Sequence, residues 1–175
     1  MIGGIWKRSK LPVAARPGVR PTPDRVRETL FNWLGQDLTG WRCLDAFAGS
    51  GALGFEAASR GAATVVLLDA DADVVQLLKA SQQRLGAVQM QIERAEALAW
   101  MRRRAARSFD LIFLDPPFQA QLLQSAIDTA AELVSYAGYL YAEGHEPMKQ
   151  AMPGFELWRS GRAGAVHFQL LRRSS

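Results

Sequence analysis

The sequence predicts an α/β fold in which helices cover both faces of a mostly parallel sheet. From Arg42 onward, strand-like and helix-like segments alternate, as in parallel strands joined by helices. Residues 64–68 (TVVLL) and 111–114 (LIFL) are uninterrupted apolar runs, which is typical of parallel strands buried on both faces. Polar and glycine-rich motifs follow several strands, and such sheets bind ligands at the carboxyl ends of their strands.

The segment before the first strand has a different character. Residues 1–15 carry apolar side chains around the basic stretch KRSK and are compatible with a small hairpin outside the core. Residues 16–23 (RPGVRPTP) contain three prolines and one glycine, which exclude regular structure. We therefore expect a basic extension over residues 1–21 and a catalytic core over residues 22–175, within a single domain.

A helix is predicted over residues 23–34. Thr22 is its expected N-cap, followed by proline at the first helical position, and Gly35 is expected to end it. Apolar residues at helical spacing give this helix one wide apolar face. Arg25 and Arg27 are expected to point elsewhere, where they are free to meet a partner.

The remaining elements follow from apolar runs and from the glycines that stop them. The expected order is strand 43–47, helix to 59, strand 64–68, helix ending at Gly86, strand 88–92, helix 98–104, strand 111–114, helix 121–134, strand 138–143, and a closing hairpin of 155–158 and 165–171 with its turn at 160–162.

Length and composition set broad limits. The chain has 175 residues, enough for one domain with a full core, and its 49% hydrophobic content is ordinary for a soluble protein. No signal peptide and no membrane-spanning run is recognisable, so we expect a cytoplasmic protein. Cys43, the one cysteine, is expected to be a small core residue, and with two histidines it offers no metal-ligand cluster. We expect a monomer without a metal.

Basic residues concentrate near the chain ends. The net charge is +4, and the first 27 residues hold seven basic side chains against one acid, Asp24. Such an asymmetry favours a polyanionic partner, with a solvated basic tail as the alternative.

Residues Gly49 to Gly54 match the pattern GxGxxG, which predicts a tight turn that opens a helix and lets a ligand approach its N-terminus. The pattern alone also describes dinucleotide dehydrogenases. Asp45, four residues before the first glycine, would sit badly beside a pyrophosphate but suits the ammonium of a methionine moiety. Asp69 ends the next strand, where its two oxygens can take both ribose hydroxyls. We therefore favour S-adenosyl-L-methionine over NAD, with a merely structural turn as the remaining alternative.

Asp115, Pro116, Pro117 and Phe118 follow the apolar run 111–114 and suit the chemistry of a base amine. The lone pair of an exocyclic amine is delocalised into the ring, so methyl transfer needs acceptors that pull its hydrogens out of plane. The Asp115 carboxylate and the Pro116 carbonyl can accept them, the prolines fix the backbone, and Phe118 can stack on the base. The alternative is a proline turn with an aromatic lid on the core.

Other polar residues are weaker candidates. Glu143 ends a predicted strand near the same edge and is a candidate for lining the pocket. His145 and His167 have no nearby acid and nucleophile, so we expect structural roles for both.

Three segments, RPTPDRVRETLFNWL, LDAFAGSGALGFEAASRGA and FLDPPF, together resemble the bacterial 16S rRNA (guanine-N2)-methyltransferase family, the RsmD family. The likeness covers nearly the whole chain. It implies a class I S-adenosyl-L-methionine-dependent (Rossmann-like) fold with seven strands and an antiparallel C-terminal hairpin. It also implies methylation of the N2 amine of one guanine in 16S rRNA, within the 30S subunit or its assembly intermediates.

The resemblance assigns roles to particular positions. The cofactor-binding positions are Asp45, Phe47, Gly49, Ser50, Gly51, Asp69, Ala70 and Ala95. The catalytic positions are Asp115, Pro116, Pro117 and Phe118. The positions expected to bind nucleic acid are Arg8, Lys10, Arg16, Arg20, Arg25 and Arg27. Arg94 lies where many relatives carry an acceptor for the adenine amine, so we expect the backbone or Glu96 to replace it.

Two other functions fit the same motifs. Adenine-N6 methylation of DNA uses the same Asp-Pro-Pro-aromatic loop, although 175 residues leave little room for a domain that reads DNA sequence. A noncatalytic RNA-binding or ribosome assembly factor could also have kept the fold, and it would not bind the cofactor.

Overall fold

The computed structural model describes residues 1–12, 23–117, 120–148 and 152–174. Within them the helices are α1 (Asp24–Leu34), α2 (Ala52–Ser59), α3 (Ala72–Leu85), α4 (Ala97–Met101) and α5 (Ala120–Ala131). The strands are β1 (Arg42–Asp45), β2 (Thr64–Asp69), β3 (Met90–Arg94), β4 (Phe109–Leu114), β5 (Val134–Gly144), β6 (Phe155–Ala163) and β7 (Val166–Arg173).

These strands form one sheet in the order β3-β2-β1-β4-β5-β7-β6. Strands β1 to β5 pair in parallel, whereas β7 runs antiparallel between β5 and β6. The predicted α/β class and the antiparallel C-terminal hairpin are therefore confirmed. The chain builds outward from β1 to β3 and then returns to place β4 on the other side of β1. This switch point is where open α/β sheets bind ligands.

The core lies on both faces of the sheet, because alternate residues of the central strands point to opposite sides. In β4, Leu111 and Phe113 pack on one face, whereas Ile112 and Leu114 pack on the other, and all four are fully buried. Burial on both faces explains why these strands are continuous apolar runs. Each such side chain contributes about 1.5–3 kcal/mol of hydrophobic free energy.

The N-terminal segment lies against α2. The amide of Ile5 donates to the Ser59 carbonyl at 2.8 Å, and the amide of Trp6 donates to the Ser59 hydroxyl at 2.9 Å. Residues 1–12 form turns without a strand, so this part is not the hairpin that we expected, and residues 13–22 lie outside the described residues.

Helix α1 begins one residue later than expected. Pro23 is the N-cap, and its carbonyl accepts the amides of Val26 at 2.9 Å and Arg27 at 3.2 Å. Thr22, the predicted cap, lies outside the described residues.

The predicted turn of the closing hairpin is wrong. Ala163 pairs with Val166, so the turn consists of Gly164 and Ala165, with Gly164 at φ +61°. Gly161 lies inside β6, where a Cβ would come within 2.4 Å of the Phe168 ring. The glycine at this position makes room for an aromatic ring across the pair instead of forming a turn.

No described helix combines the length and the apolar character needed to cross a bilayer.

Candidate active site

The glycine loop joins β1 to α2 at the carboxyl edge of the sheet. Gly49 and Gly51 both adopt positive φ, at +52° and +77°, a backbone conformation that side chains disfavour. A Cβ at Gly51 would approach Leu78 and Phe55 within 2.7 Å, so glycine is also required by packing. A Cβ at Gly49 would meet nothing within 4 Å, so the backbone there faces open space that a ligand can enter.

Asp45, the last residue of β1, is 2% exposed beneath this loop. Its Oδ2 accepts the Gly54 amide at 3.0 Å, which ties the end of the strand to the first turn of α2. Burial raises the pKa of Asp45 to about 7, the Gly54 hydrogen bond opposes that rise, and the charge on Asp69 adds to it. An ammonium group beside this carboxyl would favour its ionised form.

Asp69 ends β2 and braces the loop from the other side. Its Oδ2 accepts the Gly49 amide at 3.0 Å, and its Oδ1 accepts the Asp71 amide at 2.9 Å. A carboxylate only accepts hydrogen bonds, which is the chemistry that ribose hydroxyl donors require.

The positions expected to border adenine lie next to Asp69. The Ala95 amide donates to the Asp69 carbonyl at 3.0 Å, and Nε of Arg94 donates to the Ala70 carbonyl at 3.1 Å. Glu96 instead caps α4, accepting the amides of Leu98 and Ala99 at 3.1 and 2.7 Å. Both Glu96 oxygens thus hold the N-terminus of α4, and the choice between Glu96 and the backbone at the adenine edge stays a prediction.

Asp115 and Pro116 follow β4 at the same edge, with Pro116 buried and Pro117 exposed. Phe118 lies outside the described residues. Burial raises the pKa of Asp115 well above its ordinary value, and the charges of Glu143 and Asp45 raise it further. A carboxylate with a raised pKa is a stronger base than a free aspartate, as a proton acceptor requires.

Two residues of β5 complete the cluster. The Tyr141 hydroxyl, fully buried, donates to Oε1 of Glu143 at 2.7 Å. Burial raises the pKa of Glu143, and the Tyr141 hydrogen bond partly opposes it. Tyr141 is not among the site residues predicted from the sequence. The Tyr-x-Glu spacing was an available signal, since residues two apart on a strand share a face.

The basic positions fall into three groups. Arg8, Lys10 and Arg25 are exposed, as expected. Arg16 and Arg20 lie outside the described residues. Arg27 is only 9% exposed, and its guanidinium pairs with Asp24, so the expectation that Arg27 is free to meet a partner is wrong. Its Nε has no hydrogen-bond partner within the described part of the chain.

A buried pair on α2 was also missed. Glu56, fully buried, accepts the amides of Ile2 at 2.9 Å and Gly3 at 2.7 Å, and it pairs with Arg60 at 2.9 Å. The spacing of four residues on a helix is the available signal. In residues 1–12, 23–117, 120–148 and 152–174, no group of three His, Cys, Asp or Glu side chains is arranged to hold a metal ion.

The site meets the requirements of S-adenosyl-L-methionine. The glycine backbone is open to an approaching ligand. The buried carboxyl at the end of β1 complements an ammonium, and the second acid, at the end of β2, complements a ribose. The segment that begins at Asp115, directly after β4, is called the acceptor loop. Together with the strand order and this loop, these features define the Rossmann-like methyltransferase fold.

Comparisons with known proteins agree with this class. Residues 1–172 match the family model described as conserved hypothetical protein 95. The ribosomal RNA small subunit methyltransferase D of Escherichia coli is 37% identical over 179 residues, covering 100% of this chain and 90% of the relative. Its counterpart in Haemophilus influenzae is 44% identical over 135 residues, covering 75% and 70%. The structure of yhhF from Escherichia coli superposes with a TM-score of 0.89 at 35% identity, covering 99% of this chain and 96% of the other.

The chain therefore belongs to the RsmD methyltransferase family, as its motifs predict. Its fold and its relatives imply S-adenosyl-L-methionine as the methyl donor.

Proposed function

We propose that this protein methylates the exocyclic N2 amine of one guanine in 16S rRNA, using S-adenosyl-L-methionine. The observation that carries the proposal is the placement of Asp45 and Asp115 at the ends of adjacent parallel strands, with Asp45 opposite Phe113 in the register. This brings the glycine loop and the acceptor loop to one edge of the sheet. Relatives named ribosomal RNA small subunit methyltransferase D support ribosomal RNA as the substrate.

The proposed cofactor contacts follow the local geometry. Asp45 binds the ammonium, Asp69 binds the ribose hydroxyls, and Ala70 and Ala95 border the adenine. Phe47, Gly49, Ser50 and Gly51 form the loop that encloses the methionine end. The bound cofactor supplies an electrophilic methyl group, and the protein supplies position and a proton acceptor.

The acceptor loop prepares the amine. The Asp115 carboxylate and the Pro116 carbonyl each accept one N–H of the guanine N2, which turns the nitrogen lone pair out of the ring plane. Asp115 then takes the proton that the nitrogen loses as it is methylated. Pro116 and Pro117 restrict the backbone, so both acceptors are held in position before the base arrives. Phe118 is proposed to stack on the base.

The proposed partner is the 30S subunit or an assembly intermediate. We propose that the protein acts as a monomer with a single domain and that it works in the cytoplasm. Arg8, Lys10, Arg16, Arg20 and Arg25 are the proposed contacts to RNA phosphates. Arg27 is removed from this set, because its side chain is buried and its guanidinium pairs with Asp24 on the same helix.

The test offers 30S subunits from cells that lack the modification, free 16S rRNA and duplex DNA to the protein with a labelled methyl donor. Mass spectrometry of the digested nucleic acids identifies the methylated base. We expect N2-methylguanosine at one position in the 30S subunits. If the label appeared only as N6-methyladenine in DNA, the protein would be an adenine-N6 DNA methyltransferase. If calorimetry showed no cofactor binding, the result would favour a noncatalytic assembly factor.

A further inference from the structure

Glu143 and Tyr141 form a buried pair that the proposed methyl transfer does not use. They are two residues apart on β5, and their side chains share one face of the sheet. Glu143 is 8% exposed and Tyr141 is fully buried. The 2.7 Å hydrogen bond from the Tyr141 hydroxyl occupies Oε1 of Glu143, and no donor within the described residues binds Oε2.

The strand register places this pair beside the acceptor loop. Leu114 of β4 lies opposite Ala142 of β5, so the next residues along these parallel strands, Asp115 and Glu143, are neighbours. The two carboxyls interact, since the charge of Glu143 raises the pKa of Asp115. A base whose amine reaches Asp115 can place one of the two ring atoms that flank its amine-bearing carbon beside Glu143.

On the Watson–Crick edge, the ring nitrogen beside the amine distinguishes guanine from the other bases with an amine. In guanine, N1 beside the N2 amine carries a hydrogen and donates. In adenine, N1 beside the N6 amine has a lone pair, as does N3 beside the cytosine N4 amine. A carboxylate accepts from the guanine N1–H, whereas it repels the lone pair of adenine or cytosine.

We propose that Glu143 selects guanine by accepting its N1–H, with Tyr141 as a positioning residue that holds the Glu143 carboxylate in place. This inference rests on the proposed guanine-N2 methylation and deepens it. A site that must pair with a substrate hydrogen rejects an analogue without that hydrogen, because its own polar group would be left unpaired.

The role requires Glu143 to be ionised, since a protonated carboxyl could instead donate to adenine. Asp115, Asp45 and Tyr141 are the titratable groups that act on it electrostatically. Burial disfavours the charge of Glu143 most and raises its pKa, and the two neighbouring acids act in the same direction, whereas the Tyr141 hydroxyl donates to the carboxylate and favours its charge. Removing that hydroxyl should raise the pKa of Glu143 and shift the acidic limb of the pH–rate profile to higher pH.

The test replaces the target guanine with 2-aminopurine, which has the same exocyclic amine but a lone pair at N1. The substitution is introduced by ligation into 16S rRNA that is then assembled into 30S subunits, after the target has been mapped. We expect the wild-type protein to methylate 2-aminopurine roughly 10- to 100-fold more slowly than guanine. In Glu143→Gln, whose amide can donate to N1, the ratio of the two rates should fall at least about 10-fold.

Two controls separate selection from folding and from the proposed function. Cofactor affinity and thermal unfolding identify variants that have not folded, and Tyr141→Phe provides a second variant with its own readout, the upward shift of the acidic limb. An unchanged guanine to 2-aminopurine ratio in Glu143→Gln would overturn the inference while leaving methylation of guanine intact. Failure of the wild-type protein to methylate guanine-containing subunits would overturn the proposed function itself.

Discussion

Strand β4 carries an acid near each end, and the two acids have opposite surroundings. Asp110, at the amino end, accepts hydrogen bonds from the Arg42 guanidinium at 2.9 Å and the Ser135 hydroxyl at 2.8 Å. Burial alone would raise the pKa of Asp110, but Arg42 and Ser135 together lower it. Asp115, just beyond the carboxyl end, lies beside Glu143, and its pKa is raised.

The contrast extends to both edges of the sheet. At the amino edge, three arginines contact groups that lie beside them in space. Arg42 pairs with Asp110, and the guanidinium carbon of Arg107 lies 4.0 Å from the centre of the Tyr136 ring. Arg173 donates to the Val134 carbonyl at 3.3 Å. At the carboxyl edge, no ion pair within the described residues involves Asp45, Asp115 or Glu143. Acids that are withdrawn from water without a cation are costly, so their presence together at this edge points to a ligand that brings positive charge or N–H donors.

The largest expected effect comes from deleting the acid at the carboxyl end of β4. Asp115→Ala removes the proposed proton acceptor and should lower kcat/KM for 30S methylation by about 100- to 10,000-fold. Calorimetry should show that cofactor binding survives.

The matched control is Asp110→Ala, the same substitution near the other end of the same strand. It should methylate at close to the wild-type rate, because Asp110 contacts Arg42 and Ser135 rather than the site. Equal losses of activity in both variants would contradict the assignment of the carboxyl edge as the catalytic one.

The next prediction concerns stability and compares two acid–arginine pairs, one fully buried and one partly exposed. Glu56→Ala leaves the Arg60 charge buried and uncompensated, and should lower the free energy of unfolding by about 3–5 kcal/mol. Asp110→Ala, at a partly exposed pair, should cost about 1 kcal/mol or less. Urea unfolding measures both losses in free energy of unfolding. Similar losses would contradict the expectation that the buried pair is the more costly one to break.

The pH dependence of cofactor binding tests Asp45. Its folded pKa of about 7 lies above the ordinary 3.8, so stability without a ligand should fall as pH rises from about 4 to 7. An ammonium ligand needs the ionised carboxylate, so cofactor affinity should instead increase with pH, by up to about 10-fold per unit below pH 7. Calorimetry in buffers of different ionisation enthalpy would detect the released proton.

Asp45→Asn is the control for this titration, since its amide oxygen can still accept the Gly54 amide. The variant should bind the cofactor more weakly and without the pH dependence. If Asp45→Asn kept the same slope of cofactor affinity against pH, the titrating group would be a residue other than Asp45.

The smallest effect concerns the exposed arginines. Arg25→Gln should weaken binding to 30S subunits a few-fold and reduce the slope of log affinity against log salt concentration by about 1, as for the loss of one phosphate contact. Arg103→Gln removes an exposed charge from the loop that leads into β4 and should leave affinity and slope unchanged. If Arg103→Gln weakened binding and Arg25→Gln did not, the RNA-binding surface would lie at the amino edge of the sheet.

The sequence by itself determined the fold class and the location of the candidate site. Apolar runs, stopping glycines and the motifs around Asp45, Asp69 and Asp115 depend on neighbours along the chain, so their structural consequences are local. Gly51 illustrates this, since its positive φ could be expected from its place between a strand and a helix.

The tertiary structure alone decided which residues far apart in the chain bind each other. Glu56 binds Ile2, which is 54 positions away, and Arg42 binds Asp110 across 68 positions, so no local pattern identifies these partners. The burial of Arg27 and the place of Gly161 beside Phe168 likewise depend on surfaces that meet only when distant segments pack. Motifs therefore located the acids, but only the packing around each acid separates those held by arginine from those left to meet a ligand.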